Sequence, residues 1–266
     1  MEYLPQRIVC LTEETTETLY LLGEQDRIVG ISGFVVRPAQ ARKEKPRVSL
    51  FTSANIDAIL ELHPDLVLGF SDLQADIAAQ LIRAGVSVYV FNHRTIHGIF
   101  SMILQIGALV GVPEKAEVLV ASLRHKIETV RARTAAFPKK PKVYFEEWYD
   151  PLITGIGWVS ELITIAGGEE CFPELAGKPL AKDRIIADAT EVIRRQPDII
   201  IGSWCGKKFK PEKVRARPGW ENIPAVQQGH IYEIPSAIIL QPGPAAITEG
   251  LDALVDIISR WQKSTA

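Results

Sequence analysis

One short motif is written twice. Residues 64–69 read Pro-Asp-Leu-Val-Leu-Gly and residues 197–202 read Pro-Asp-Ile-Ile-Ile-Gly, 133 positions apart in a chain of 266. Each joins a turn-forming Pro-Asp pair to an aliphatic run closed by glycine, which is how a strand leaving a turn reads. The likeness extends outward. Ile59–Asp65 aligns with Val192–Asp198, and Arg7-Ile8-Val9 aligns with Lys142-Val143-Tyr144 at an offset of 135. A repeat half a chain long predicts two similar lobes rather than a solenoid.

Around the motif, short β-branched runs alternate with longer amphipathic ones, the pattern of α/β architecture. Strands are predicted at 7–11, 27–32, 65–69 and 87–91, then at 141–146, 198–202 and 230–234. Helices are predicted at 12–22, 55–62 and 73–84, then at 158–166, 188–195 and 244–262. Gly23, Gly85 and Gly167-Gly168 stand as helix stops. Between the halves, Leu119, Leu123, Ile127 and Val130 fall on one helical face from Pro113 to Ala135, and Pro138 ends the run. A helix of that length spans roughly 33 Å and is stiffer than a flexible linker. The expected fold is α/β, two similar Rossmann-like lobes joined by one long rigid helix: 1–112, the connecting helix 113–137, and 138–266.

Composition narrows the function. With 30 basic and 32 acidic residues and a net charge of −2, nothing points to nucleic acid or a membrane surface. Cys10, Cys171 and Cys205 fit neither a disulfide framework nor a zinc spacing and lean towards a reducing compartment. Met1–Arg7 shows no signal-peptide pattern, and no apolar run reaches 18 residues. As written the chain is expected to be soluble and cytoplasmic. A periplasmic or cell-surface location is the alternative if an export signal has been removed.

Open α/β sheets bind ligands outside the carboxyl ends of their strands. The residues just past each strand are therefore the candidates. In the first half these are Thr12-Glu13-Glu14, Phe34, Arg37, Phe51, Phe70-Ser71-Asp72 and Asn92-His93-Arg94. In the second they are Glu146-Glu147-Trp148-Tyr149-Asp150, Trp158 and Trp204-Cys205-Gly206. The rings either cap the sheet ends within the core or form a platform for a large, flat, partly apolar ligand. As a set, in both halves, they point to the platform. His93 is a metal ligand, a donor to a ligand amide, or an ordinary polar contact.

Glu146 and Glu147 are adjacent on a strand and point to opposite faces, so one is expected buried or ligand-facing and the other solvated. Thr12-Glu13-Glu14-Thr15 reads equally as a helix cap. Cys205 lies near Lys207-Lys208, which lowers a thiol pKa, but its segment holds no histidine partner. Lys207, Lys208, Lys210, Arg215 and Arg217 make a basic loop, either solvated or in contact with an anionic group. No HExxH or CxxC occurs, and Gly155-Ile156-Gly157 lacks the third glycine of a dinucleotide loop. No catalytic residue and no protein-held metal are expected. The alternative from another class is a cytoplasmic cofactor-modifying enzyme using Glu147, His93 and Cys205.

Several segments carry a family resemblance. They are Arg7-Ile8-Val9 through Glu17 and Gly23, Val29–Ser32, Ile56–Gly69, Ala166-Gly167-Gly168, Pro197–Ile200, and Arg217-Pro218-Gly219-Trp220 through Val226. Over nearly its whole length the chain resembles the substrate-binding proteins for cobalamin, haem and iron–siderophore import, with cobalamin-binding members nearest. The resemblance implies a non-catalytic monomer holding a small-molecule ligand between two lobes with little closure, and an ABC-transporter permease as partner.

Cobalamin-binding members place aromatics where this chain has Phe34, Phe51 and Phe70. They place others where it has Leu152, Ile238 and Ile239, so Trp148, Trp158 or Trp204 is expected to supply the missing rings. With His93, Glu147, Tyr149 and Cys205 these complete the expected binding set for a corrinoid. For the alternative ligands, haem or a ferric siderophore, the resemblance implies contact from His93, Tyr149 or the basic loop. Asp76 is the expected permease-docking acid of the first lobe, while Leu240 stands where the second lobe would carry its own.

Overall fold

In the computed structural model, which describes residues 3–265, each copy of the motif ties one strand to the start of its neighbour. The Asp65 carboxylate accepts from the backbone N–H of Gln6 (2.7 Å) and Arg7 (3.0 Å), and its own N–H donates to the Arg7 carbonyl (3.0 Å). Asp198 does the same to Lys142, with both bonds at 2.8 Å. The residue ahead of each Pro-Asp pair is left-handed, His63 at φ 45° and Gln196 at φ 49°. Ile8 then pairs with Leu66, and Val143 with Ile199. The repeat therefore fixes the same register twice.

By contacts the chain falls into two units. The N-terminal unit takes the chain through His93, then His97–Leu123 and Pro242–Pro244. The C-terminal unit takes Arg94–Ile96, Arg124–Gln241 and the chain from Ala245 on. In the first, β1 (Ile8–Cys10), β2 (Ile28–Ser32), β3 (Arg47–Ser49), β4 (Leu66–Phe70) and β5 (Val88–Phe91) form a parallel sheet in the order β3-β2-β1-β4-β5. Val9, Leu11, Val48, Ile59, Val67 and Leu81 make its core on one side. All five carboxyl ends lie along one edge, which gathers the strand exits.

In the second unit β6 (Lys142–Tyr149), β7 (Leu152–Thr154), β8 (Glu169–Glu170), β9 (Ile199–Gly202) and β10 (Ile231–Glu233) form a sheet in the order β10-β9-β6-β7, with β8 on the start of β6. All pairings are parallel except β6 with β7. Its core gathers Tyr144, Phe172, Val192, Ile200, Trp220 and Ile223.

The α/β class and the Rossmann-like lobes match expectation. Three details differ. β6 runs on to Tyr149 and turns back at Asp150-Pro151 into β7, a hairpin hidden by the Glu-Glu-Trp that interrupts the aliphatic run. β3 and β8 are too short to show a period. The C-terminal helix runs from Leu251 to Ser264, preceded by a π-turn at Ala246–Gly250, rather than unbroken from 244.

The helix between the halves runs from Pro113 to Thr134, passing from the first unit to the second after Leu123. Its buried stripe is Ala116, Val120, Leu123, Ile127 and Val130, one position round from the predicted Leu119. Gly107 lets the preceding helix, Ile96–Leu109, approach it, since a Cβ there would lie 2.4 Å from that of Ala116.

Candidate functional site

In the N-terminal unit the strand exits carry an exposed apolar rim. Phe34 (50% exposed) and Val36 (40%) follow β2, Leu50 (50%) follows β3, and Leu73 (57%) follows β4. Phe51 is half-buried beside them in sequence. Large apolar side chains left in water, at the edge where open α/β sheets take ligands, make this rim the candidate binding surface. Sequence reasoning named the phenylalanines and missed Val36, Leu50 and Leu73, because an aliphatic residue carries no signal of exposure in the chain itself. Phe70 is buried and meets the His93 ring edge-on, with centroids 5.3 Å apart.

Polar groups buried beneath the rim hold its loops. Gln74, also missed, donates to the carbonyls of Phe51 (2.9 Å) and Leu11 (3.3 Å) and accepts from the Phe70 N–H (2.8 Å). Gly69, the last residue of the first motif, makes room for it: a Cβ there would sit 2.9 Å from Gln74 Oε1. Thr12 stands at the N-cap of the helix Glu13–Leu21, as one reading expected, but its side chain makes no capping bond. Its hydroxyl donates to Glu14 (2.5 Å), while Glu13 accepts from the Val36 N–H (2.8 Å). Burial pushes both carboxyls up to about 7.

His93 Nε2 lies 2.8 Å from the Pro242 carbonyl, which can only accept. That nitrogen therefore carries the proton and is no metal ligand. His93 and His97 stand four residues apart, an HxxxH spacing that the reading of the sequence wrongly took to be absent. Among the described residues, however, no group of three His, Cys, Asp or Glu gathers for a metal.

In the C-terminal unit the end of β6 is held by two ion pairs. Glu146 is wholly buried and takes both guanidinium arms of Arg217 (2.5 and 2.9 Å), the Trp204 indole N–H (3.0 Å) and the Tyr144 hydroxyl (3.1 Å). Burial opposes the Arg217 charge, but the bonds to the Glu146 carboxylate outweigh it and its pKa is raised on balance. Glu147 is clamped in the same bidentate way by buried Arg184 (2.6 and 3.1 Å), which also donates to the Thr154 carbonyl (2.5 Å). The expectation of one solvated glutamate is thus corrected: both are partnered, because Arg184 at the end of the turn Ala181–Arg184 and Arg217 beyond the helix Pro211–Arg215 each reach one carboxylate.

Four rings of this unit follow one another in contact, the first two pairs tilted and the last edge-on. Trp148 lies 5.0 Å from Tyr149, Tyr149 4.4 Å from Trp204, and Trp204 5.0 Å from Phe209. Trp148 and Tyr149 are partly exposed, whereas Trp204 and Phe209 are buried. Phe209 lies over Gly202, the last residue of the second motif; a Cβ there would fall 1.9 Å from the ring. Trp158 is buried, with its indole N–H donated to the Ile239 carbonyl (2.8 Å). Leu152 and Ile239 are buried and Ile238 is partly so. Cys205 is exposed, as are Lys207, Lys208 and Lys210 beyond it. Lys207 Nζ donates to the Tyr149 hydroxyl (2.9 Å), a bond that pulls the phenol pKa below its usual value.

Two α/β units whose strand exits carry apolar, aromatic and cationic side chains define a solute-binding protein. Residues 8–238 match the periplasmic binding protein family, and the chain belongs to it. An uncharacterized ABC transporter substrate-binding lipoprotein of Bacillus subtilis is 26% identical over 263 residues, covering 96% of this chain and 80% of that protein. A vitamin B12-binding protein of Vibrio campbellii is 26% identical over 261 residues, covering 97% and 90%.

Among solved structures, a possible iron-binding (periplasmic solute-binding) protein of Staphylococcus epidermidis superposes with a TM-score of 0.81 at 25% identity, over 96% of this chain and 98% of that one. A periplasmic heme-binding protein of Roseiflexus sp. RS-1 gives 0.79 at 25% identity, over 95% and 98%. The protein is a substrate-binding protein of the ABC-importer class, which binds solutes without transforming them. That membership sets aside the enzyme built on Glu147, His93 and Cys205. The class implies a small-molecule ligand and a permease partner, and no helix among the described residues is long and apolar enough to cross a membrane.

The cytoplasmic expectation is overturned by the same relatives, a lipoprotein and periplasmic binders. It rested on the residues ahead of Ile8, but leaders are removed from mature proteins and their absence carries no address. The thiols gave no better guide. Cys10 and Cys171 are buried, which raises the Cys10 pKa to about 12 and makes it inert.

Proposed function

We propose that the protein binds a tetrapyrrole-like metal chelate, a corrinoid first, outside the cytoplasmic membrane and hands it to an importer. The observation that carries this reading is the exposed rim of Phe34, Val36, Leu50 and Leu73 at the strand exits of the N-terminal unit. A flat apolar ring system covers such a rim, and its metal needs no protein ligand. That suits a unit whose one strand-exit histidine holds a carbonyl. Within the C-terminal unit, Trp148 and Tyr149 are the members of the expected set that offer ring surface. Of the others in that set, Trp204 packs on Tyr149, Glu147 is held by Arg184 and Trp158 is buried, while Phe70 is a buried residue of the N-terminal unit. Asp76 is exposed on the helix Ala75–Arg83 and is the proposed docking acid for the permease.

Haem or a ferric siderophore is the second reading, favoured by the Lys207–Tyr149 pair, which suits an acidic ligand. Titration of the purified protein with cyanocobalamin, haemin and a ferric siderophore, followed by absorbance and thermal unfolding, tests both. A bound ligand at a hundred times its Kd stabilises by about 2.7 kcal/mol. No spectral change and no thermal shift with any of the three would exclude the proposal.

A further inference from the structure

The loop after β9 concentrates positive charge that nothing so far accounts for. Residues 207–215 hold Lys207, Lys208, Lys210, Lys213 and Arg215, with Glu212 as their one acid. Among the described residues none of these five cations joins an ion pair, whereas Arg217 beyond them is neutralised by Glu146.

Two of the five converge on one phenol. Lys207 Nζ donates to the Tyr149 hydroxyl and lies 5.1 Å from the Trp148 ring and 5.2 Å from the Tyr149 ring. Lys213 Nζ lies 5.4 Å from the Tyr149 ring. The loop presenting them is anchored. Phe209 is buried over Gly202, its N–H is donated to Glu233 (3.0 Å), and Pro211 opens the helix Pro211–Arg215 that carries Lys213.

Two ammonium groups held at one ring repel each other, and ring faces at exposed sites compensate only in part. An oxyanion would relieve the repulsion and take up the donors present, the two ammoniums and the phenol O–H that Tyr149 keeps while accepting from Lys207. Trp148 and Tyr149 supply adjacent ring surface for the flat body from which such an anion would hang.

We propose that Trp148, Tyr149, Lys207 and Lys213 form a subsite for an oxyanion-bearing arm of the ligand, a carboxylate or a phosphate. The proposal deepens the chelate-binding reading above and rests on it. It assigns the unit a selective role, favouring anion-armed ligands over neutral ones of the same ring.

The test has two arms. In the first, citrate and pyrophosphate are titrated at low ionic strength against tryptophan fluorescence, in the wild type, in K207Q/K213Q and in Tyr149→Phe. Loss of a charge-assisted contact is expected to weaken the double variant at least about tenfold. Y149F is expected to fall between, and added salt to erase the difference. Equal affinity in wild type and double variant, or no response to either anion, overturns the proposal.

In the second arm, haemin is compared with its dimethyl ester, which lacks the free carboxylates. A preference for haemin in the wild type that the double variant loses supports the subsite, while equal binding of both by the wild type overturns it. If neither porphyrin binds yet the citrate difference persists, the subsite stands and the tetrapyrrole reading fails. Near-UV circular dichroism of these surface variants verifies the fold.

Discussion

Gly202→Ala is the sharpest test of how the second motif builds the site. The new Cβ would lie 1.9, 2.0 and 2.5 Å from three atoms of the Phe209 ring, where carbon atoms normally rest about 3.5–4.0 Å apart. The ring must therefore recede by about 1.5 Å or more within a packed core that includes Trp204 and Trp220. Overpacking alone costs about 1–3 kcal/mol, and expelling the ring altogether approaches the roughly 3–5 kcal/mol of Phe→Ala.

A loss of about 3 kcal/mol lowers Tm by roughly 6–12 °C at this chain length. The assay is thermal and urea unfolding, read by tryptophan fluorescence because Trp204 lies 5.0 Å from Phe209. In a Phe209→Ala background the same change should cost under about 1 kcal/mol, since the two act through one contact. The matched change in the first motif, Gly69→Ala, meets only Gln74 Oε1 at 2.9 Å, and about 1–2 kcal/mol for a disturbed buried amide is expected. A G202A protein within 0.5 kcal/mol of wild type (roughly the noise of such mutants), or additive effects with F209A, would refute the reasoning.

Other outcomes follow from the buried charges. Glu146→Gln leaves Arg217 largely buried without its carboxylate, so a loss of about 3 kcal/mol is expected in chemical unfolding, partly recovered in the double variant with Arg217→Met. Glu170 is buried with one carboxylate oxygen unpartnered, and burial raises its pKa from 4.5 to about 8. The folded state then keeps a proton that the unfolded state has lost. Its contribution is complete below pH 4.5 and fades as pH rises to about 8. Glu170→Gln should flatten that decline by a few kcal/mol, measured as Tm from pH 5 to 9. Asp198→Asn keeps one acceptor for the Lys142 N–H and should cost about 1 kcal/mol in the same assay.

Much of this was legible in the chain. The two Pro-Asp motifs announced equivalent strands because aspartate, proline and a strand-ending glycine each do a local job that leaves a local mark. The helix predicted at 55–62 is there as Ile56–Glu61, capped by Asn55, which accepts from the Ala58 N–H at 3.0 Å. The aromatics at strand exits were visible too, yet their exposure was not. Trp158 and Trp204 look alike in sequence to Trp148, and only tertiary packing separates the buried pair from the exposed one. Arg184 and Arg217 pair with Glu147 and Glu146 from 37 and 71 residues away, a distance no periodicity bridges. Leu50 and Leu73 were silent for a further reason: an aliphatic side chain is presumed to be core until a structure shows it in water.

The central claim is that this apolar rim receives the ligand, and one isotherm tests it most directly. Leu50 and Leu73 are each about half exposed, so covering what remains contributes roughly 1 kcal/mol apiece, about thirtyfold in affinity together. Cyanocobalamin titrated into wild type and into Leu50→Ser/Leu73→Ser should show that weakening, with Tm unchanged in the absence of ligand. Equal affinity for the two proteins would contradict the account.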